Sequence, residues 1–227
     1  DCKKLLIEII VQDNHLINHQ NLETIINCYF ENLKSVKNGS NFLGKFFSNL
    51  SKIYFNESYE LFKSNILIFL RSDLDDIQLK GLIMLDYFVD TFILYINRDI
   101  STFIDLLLKI SEKSSDNINN ATKIIENYLS YNELNYDDTA KVLNFVIECF
   151  IDQANPFKIT NGYFLCQAIG PTPIYFDKFI EIYQNVSELY LPEYFGILVN
   201  LHSRENDLTN DKYQQFFQFV TDFFYKS

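Results

Sequence analysis

The sequence predicts an all-α fold of stacked antiparallel helical hairpins, about twelve helices in all. Three observations carry this expectation. Apolar residues recur at spacings of three and four along almost the whole chain, which lays one apolar stripe along a helix. Sustained strict alternation, the signature of a half-buried strand, is missing. The chain has 6 Gly and 4 Pro in 227 residues. That is too few for the tight turns of an all-β fold or for the glycine-rich phosphate loop of a nucleotide-binding α/β fold.

The elements follow in order. Helices are expected near 2–12, 20–37, 41–55, 57–71, 75–95, 100–113, 117–131, 136–152, 160–169, 173–188, 192–203 and 209–225. The stripe Leu22, Ile25, Ile26, Tyr29, Phe30, Leu33 defines the second of these. Phe42, Phe46, Phe47, Leu50 and Ile53 define the third, and Val142, Phe145, Val146, Cys149 and Phe150 define the eighth. Asn56-Glu57-Ser58 reads as a break. Asp73 to Asp76 place acids before a helix starting near Ile77, where they oppose the positive end of its dipole. Ser115-Asp116 precedes another start. Thr172-Pro173 combines a capping hydroxyl with Pro in the first helical position, and Leu191-Pro192 marks a similar start. Asn38-Gly39 and Gly170-Pro171 read as helix ends. The connections are short, so consecutive helices should pack antiparallel. No Gly-, Ser- or Pro-rich linker divides the chain, so residues 1–227 are expected to form one domain. Because residue 1 is Asp, that domain is expected to be a fragment of a longer chain.

Composition narrows the function. The hydrophobic fraction is 48 %, with 15 Tyr and 22 Phe, so the chain should fold. The abundance of Asn, Ile, Lys, Phe and Tyr reads as the codon bias of an AT-rich genome. The net charge of −11, with thin and interleaved cations, disfavours direct nucleic-acid binding and suits a basic partner or plain solubility. The cysteines at 2, 28, 149 and 166 show neither Cys-x-x-Cys spacing nor a disulfide framework, so an intracellular location is expected, in cytoplasm or nucleus. The Asn-x-Ser/Thr triplets at Asn38, Asn49, Asn56, Asn120 and Asn185 are what such a composition yields by chance. The most apolar stretch, Leu82 to Ile96, carries Asp86 and Asp90 and is too short to span a bilayer.

An internal repeat is the most informative pattern. Asn65 to Phe88 has an apolar helix (Ile66, Leu67, Phe69, Leu70), an acidic turn (Asp73, Asp75, Asp76) and a second helix opening Ile77-Gln78-Leu79-Lys80-Gly81-Leu82. Phe103 to Leu129 repeats the arrangement, with Ser114-Ser115-Asp116-Asn117 in its turn and Ile118-Asn119-Asn120-Ala121 opening its second helix. The offset from Ile77 to Ile118 is about forty residues. A weaker third copy has Asp137-Asp138 in its turn and Ala140 at the small-residue position. In these features, over about residues 60–150, the chain resembles the HEAT and armadillo families of helical repeats. Their acidic turn, following apolar residue and small residue are matched by Asp76-Ile77 with Gly81, and by Asp116-Asn117-Ile118 with Ala121. The proline usual in the first helix is absent, and Gln78 and Asn119 stand where a basic residue is usual. The resemblance implies a long surface that binds proteins or peptides.

No residue pattern points to chemistry. His15 and His19 are four apart, but Leu16 follows where a zinc protease needs Glu, and the segment reads as a loop. His202 is isolated near a helix end. Cys28, Cys149 and Cys166 lie on apolar stripes and are expected to pack in the core. Asp73, Asp75 and Asp76 fail the calcium-loop pattern, with Gln78 at position six and Met84 at position twelve. Phe216, Phe217, Phe219, Phe223, Phe224 and Tyr225 spread over more than one helix face, which expects a further neighbour, either the next repeat of a longer parent or a bound partner. The sequence therefore reads as a non-enzymatic interaction scaffold or adaptor. It assigns no catalytic, cofactor-binding or metal residue, no cofactor, no membrane insertion and no specific partner-binding residue. Two alternatives are a fragment of a karyopherin-type nuclear transport receptor, which the acidic balance suits, and a membrane-traffic adaptor, which lacks the basic face that role needs.

Overall fold

The computed structural model describes residues 17–35, 43–152, 156–170, 172–182 and 185–201, together with residues 214, 217, 218, 220–222 and 225. Among them are ten α-helices and two 3-10 turns, and no strand. The chain divides into two compact units, Asp1–Asn132 and Glu133–Ser227. The first contains α1 (His19–Ser35), α2 (Leu43–Ile53), α3 (Phe55–Leu70), α4 (Asp75–Phe92), a 3-10 turn (Ile96–Arg98), α5 (Ile100–Ser111) and α6 (Ser115–Leu129). The second contains α7 (Tyr136–Ile151), α8 (Pro156–Ile169), α9 (Pro173–Ile182), a 3-10 turn (Glu188–Tyr190) and α10 (Leu191–Leu201). The all-α expectation holds, and ten of the expected helices are present with boundaries shifted by a few residues. The helix expected at 2–12 lies outside the described residues. Most of 209–225 does too; within it Phe217 and Tyr225 are helical and exposed.

The first unit is held by aromatic burial. Phe30, Phe46, Phe47, Phe62, Phe69, Phe88, Phe92 and Phe103 are all fully buried. Phe62 sits 4.2 Å from the ring of Phe47 and 5.7 Å from that of Phe46, and Phe88 packs 4.9 Å from Phe92. Each such ring contributes roughly 1.5–3 kcal/mol by leaving water. Close ring pairs add about 0.5–1.5 kcal/mol more. The second unit is built on Val142, Leu143, Val146, Phe150, Ile159, Leu165, Phe179, Tyr194, Ile197 and Leu198, all buried. Tyr194 packs against Phe150 and Phe179 and donates its hydroxyl to the Phe179 carbonyl.

Helices pack on their neighbours in sequence (α2 on α3, α3 on α4, α5 on α6, α7 on α8, α9 on α10) and on the helix after next (α1 on α3, α2 on α4, α4 on α6, α8 on α10). Polar bonds between these second neighbours keep a near-constant offset. Tyr54 donates to the Ile17 carbonyl at 3.0 Å, and Asn65 donates to Asn27 at 3.0 Å, offsets of 37 and 38 residues. Lys123 meets Asp86 at 2.7 Å and Asn127 meets Asp90 at 2.6 Å, each 37 residues apart, and Asn132 donates to the Ile93 carbonyl, 39 apart. Because the paired positions rise together, α1 runs parallel to α3 and α4 to α6. In the second unit Lys178 reaches Asn144 and Asn200 donates to the Cys166 carbonyl, both with an offset of 34.

The helix starts correct several expectations. The break expected at Asn56–Ser58 falls slightly earlier, at Tyr54, and α3 begins at Phe55. The N-cap of α4 is Leu74, whose side chain makes no cap bond, so Asp75 and Asp76 act inside the first turn through the dipole. Ser114, not Ser115, caps α6 by accepting from the Asn117 amide. α7 starts with a reciprocal cap: Asn135 accepts from the Asp138 amide at 2.9 Å and donates to the Asp138 carboxylate at 2.7 Å. α9 opens at Pro173 as predicted, and the Thr172 hydroxyl donates to the Gly170 carbonyl at 3.1 Å. Gly170, with φ of 78°, ends α8 in the left-handed region, as the helix-end reading requires. Gly39 lies outside the described residues.

Gly81 explains the small residue of the sequence pattern. A β-carbon there would lie 3.0 Å from the Leu70 nitrogen and 3.1 Å from the Phe69 carbonyl carbon. Only glycine lets α4 approach the last turn of α3 this closely. One turn away, the buried Gln78 amide donates to the Leu70 carbonyl at 2.8 Å and the Ser72 carbonyl at 3.3 Å. It thereby satisfies carbonyls that the end of α3 leaves without helical partners.

Candidate interaction surface

The turn between α4 and α5, residues 93–99, carries a dense set of side-chain interactions. α4 ends at Phe92 and the chain turns through Ile93, Leu94 and Tyr95. Phe55, at the start of α3, packs 5.0 Å from Phe92 and edge-on to Tyr95 at 4.9 Å. One turn further along α3, Tyr59 is fully buried against Phe88, Phe92 and Tyr95. Its hydroxyl donates to Asp99 at 2.7 Å. Lys63, the next turn on, donates to both Asp99 oxygens at 3.2 and 3.3 Å and pairs with Glu60 at 2.6 Å. Arg98 pairs with Glu60 and Asp99, and its guanidinium lies over Tyr59 at 4.4 Å and Tyr95 at 5.1 Å.

From the other side, Tyr128 of α6 donates to Asn97 at 2.9 Å, and Asn132 holds the Ile93 carbonyl at 3.1 Å. The turn is therefore tied to α3 in front and to α6 behind. Out of this frame project Leu94, which is 81 % exposed, Tyr95, which is 41 % exposed, and Phe55, which is 37 % exposed. Isolated exposed apolar residues are ordinary on protein surfaces. Here the two rings, Phe55 and Tyr95, touch each other, an arginine is stacked on one of them, and the supporting backbone is bonded in place.

The electrostatics keep the supporting groups in their ordinary ionic states. Burial pushes the Tyr59 phenol up, and its bond to Asp99 pushes it further, so it stays protonated. Burial opposes the charges of Lys63 and Asp99, but their mutual bonds, with Glu60 and Tyr59, outweigh it. Lys63 is raised and Asp99 lowered. Two cations and two anions balance. The cluster is a neutral lattice that fixes geometry, and the shifts of Tyr59, Lys63 and Asp99 all run away from neutral pH.

The remaining sequence candidates are scattered. His19 opens α1 instead of lying in a loop, with its ring 4.6 Å from Tyr54 and its Nδ1 3.6 Å from Glu57. His15 and His202 lie outside the described residues. Cys149 and Cys166 are buried as expected, and burial pushes both thiols up to about 12. Cys28 contradicts its core expectation and is exposed. It follows Ile25 and Ile26 in the sequence, but at about 3.6 residues per turn it falls on the side of α1 away from the buried Leu22, Ile26, Tyr29, Phe30 and Leu33. Asp73, Asp75 and Asp76 are exposed at the start of α4. Among the described residues, no group of three or more His, Cys, Asp or Glu is placed to hold a metal ion. Nor is any helix among them long and apolar enough to cross a membrane.

Sequence reasoning passed over Phe55, Leu94, Tyr95 and Arg98. The apolar pattern from Leu82 to Ile96 predicts one continuous helix to residue 95, whereas the helix ends at Phe92. The available signal was Asn97-Arg98-Asp99, a polar run closing an apolar one, which marks a turn with apolar residues left at its edge. No protein-family model, curated protein or solved structure significantly matches the chain.

Proposed function

We propose that this chain is a non-enzymatic protein–protein interaction module, a stack of helical hairpins of the HEAT/armadillo kind, that engages a partner through the Phe55–Leu94–Tyr95 surface. The observation that carries the reading is an apolar, aromatic surface held on a turn bonded from two sides. Interface hot spots are rich in aromatic residues and arginine. A preorganised surface loses less entropy on binding than a mobile one. The stacked-hairpin part of the reading is supported by the parallel second-neighbour helices and their offsets of 37–39 and 34 residues. A helical repeat of that length packs in the same way. The net charge of −11 favours a partner with an excess of cations.

The test is affinity capture from native extract of the source organism with the wild-type chain and a Leu94→Asp variant in parallel. Leu94 is exposed, so the substitution should change stability by no more than about 0.5 kcal/mol. The reading expects one or two proteins retained in stoichiometric amount by the wild type and lost from the variant. Identical retained sets on both would move the interface elsewhere on the chain.

A further inference from the structure

We draw no further inference here: the strongest candidate, the exposed apolar patch of Phe55, Leu94 and Tyr95 at the turn after α4, belongs to the surface already described, and nothing in the structure shows what covers it.

Discussion

Substituting Gly81 by alanine sets two effects of known size against each other. In a helix interior, Gly→Ala stabilises by about 0.8–1.0 kcal/mol, because alanine has less backbone freedom to lose. At Gly81 the new β-carbon would meet the Leu70 nitrogen at 3.0 Å and the Phe69 carbonyl carbon at 3.1 Å. Those are backbone atoms of a packed helix and cannot swing aside. The helices must separate by a few tenths of an ångström, which stretches the bonds from Gln78 to the Leu70 and Ser72 carbonyls. Overpacking of this kind costs about 1–3 kcal/mol. The steric term wins, and Gly81→Ala should lose about 1 kcal/mol net, measured by urea unfolding of the full chain followed by far-UV circular dichroism. Gly196 is the internal control. The three atoms nearest a β-carbon there all belong to the Tyr163 side chain, with Cε2 at 2.8 Å, and that side chain is partly exposed and able to turn. Gly196→Ala should therefore be neutral or stabilising by up to about 1 kcal/mol. A Gly81→Ala variant as stable as the wild type, or more so, would refute the close crossing of α3 and α4.

Two further predictions rest on burial and charge. Tyr59→Phe removes a hydrogen bond to an ionised carboxylate and should cost about 1.5 kcal/mol near neutral pH. Asp99 is held below its ordinary value of 3.8, so the stability it contributes is present above that value and lost as pH falls through its folded value. The difference between wild type and Tyr59→Phe should accordingly be constant above about pH 5 and shrink below pH 3.8. An equal difference at pH 7 and pH 3 would show that the Tyr59–Asp99 bond is not the cause. Brief alkylation of the native chain with iodoacetamide, mapped by peptide mass spectrometry, should modify Cys28 and spare Cys149 and Cys166, whose thiols are buried and pushed up to about 12. Modification of Cys149 or Cys166 at the rate of Cys28 would contradict the packing of α7 against α8.

The helices were legible because burial in this chain follows the 3.6-residue period: Ile25, Ile26, Tyr29, Phe30 and Leu33 were read as a stripe and are buried as one. The small residue at 81 was legible as well, though its cause, a backbone approach from α3, needs the neighbouring helix. Helix starts were less so. Tyr54 and Leu74 stand at N-cap positions without capping side chains, so tertiary packing sets those boundaries. The role of individual asparagines was not legible: Asn65, Asn127, Asn132 and Asn200 are each bonded to a helix or turn 34–39 residues back. Composition hides such pairs because a single side-chain bond across a helix pair has no periodicity of its own. The candidate surface was illegible for a related reason. Tyr59, Lys63, Arg98 and Asp99 come from two elements some forty residues apart, and only their packing makes a frame for Leu94 and Tyr95.

The most direct test of the proposed interface is site-specific photo-crosslinking. A benzophenone amino acid would be placed at Leu94, and in a second sample at exposed Lys109 of α5, and each 227-residue chain irradiated in native extract. The account predicts a discrete crosslinked protein from position 94 that is absent from position 109 and disappears when Phe55 and Tyr95 are both changed to serine. The same crosslinked set from both positions, or none from position 94 while another surface crosslinks strongly, would contradict it.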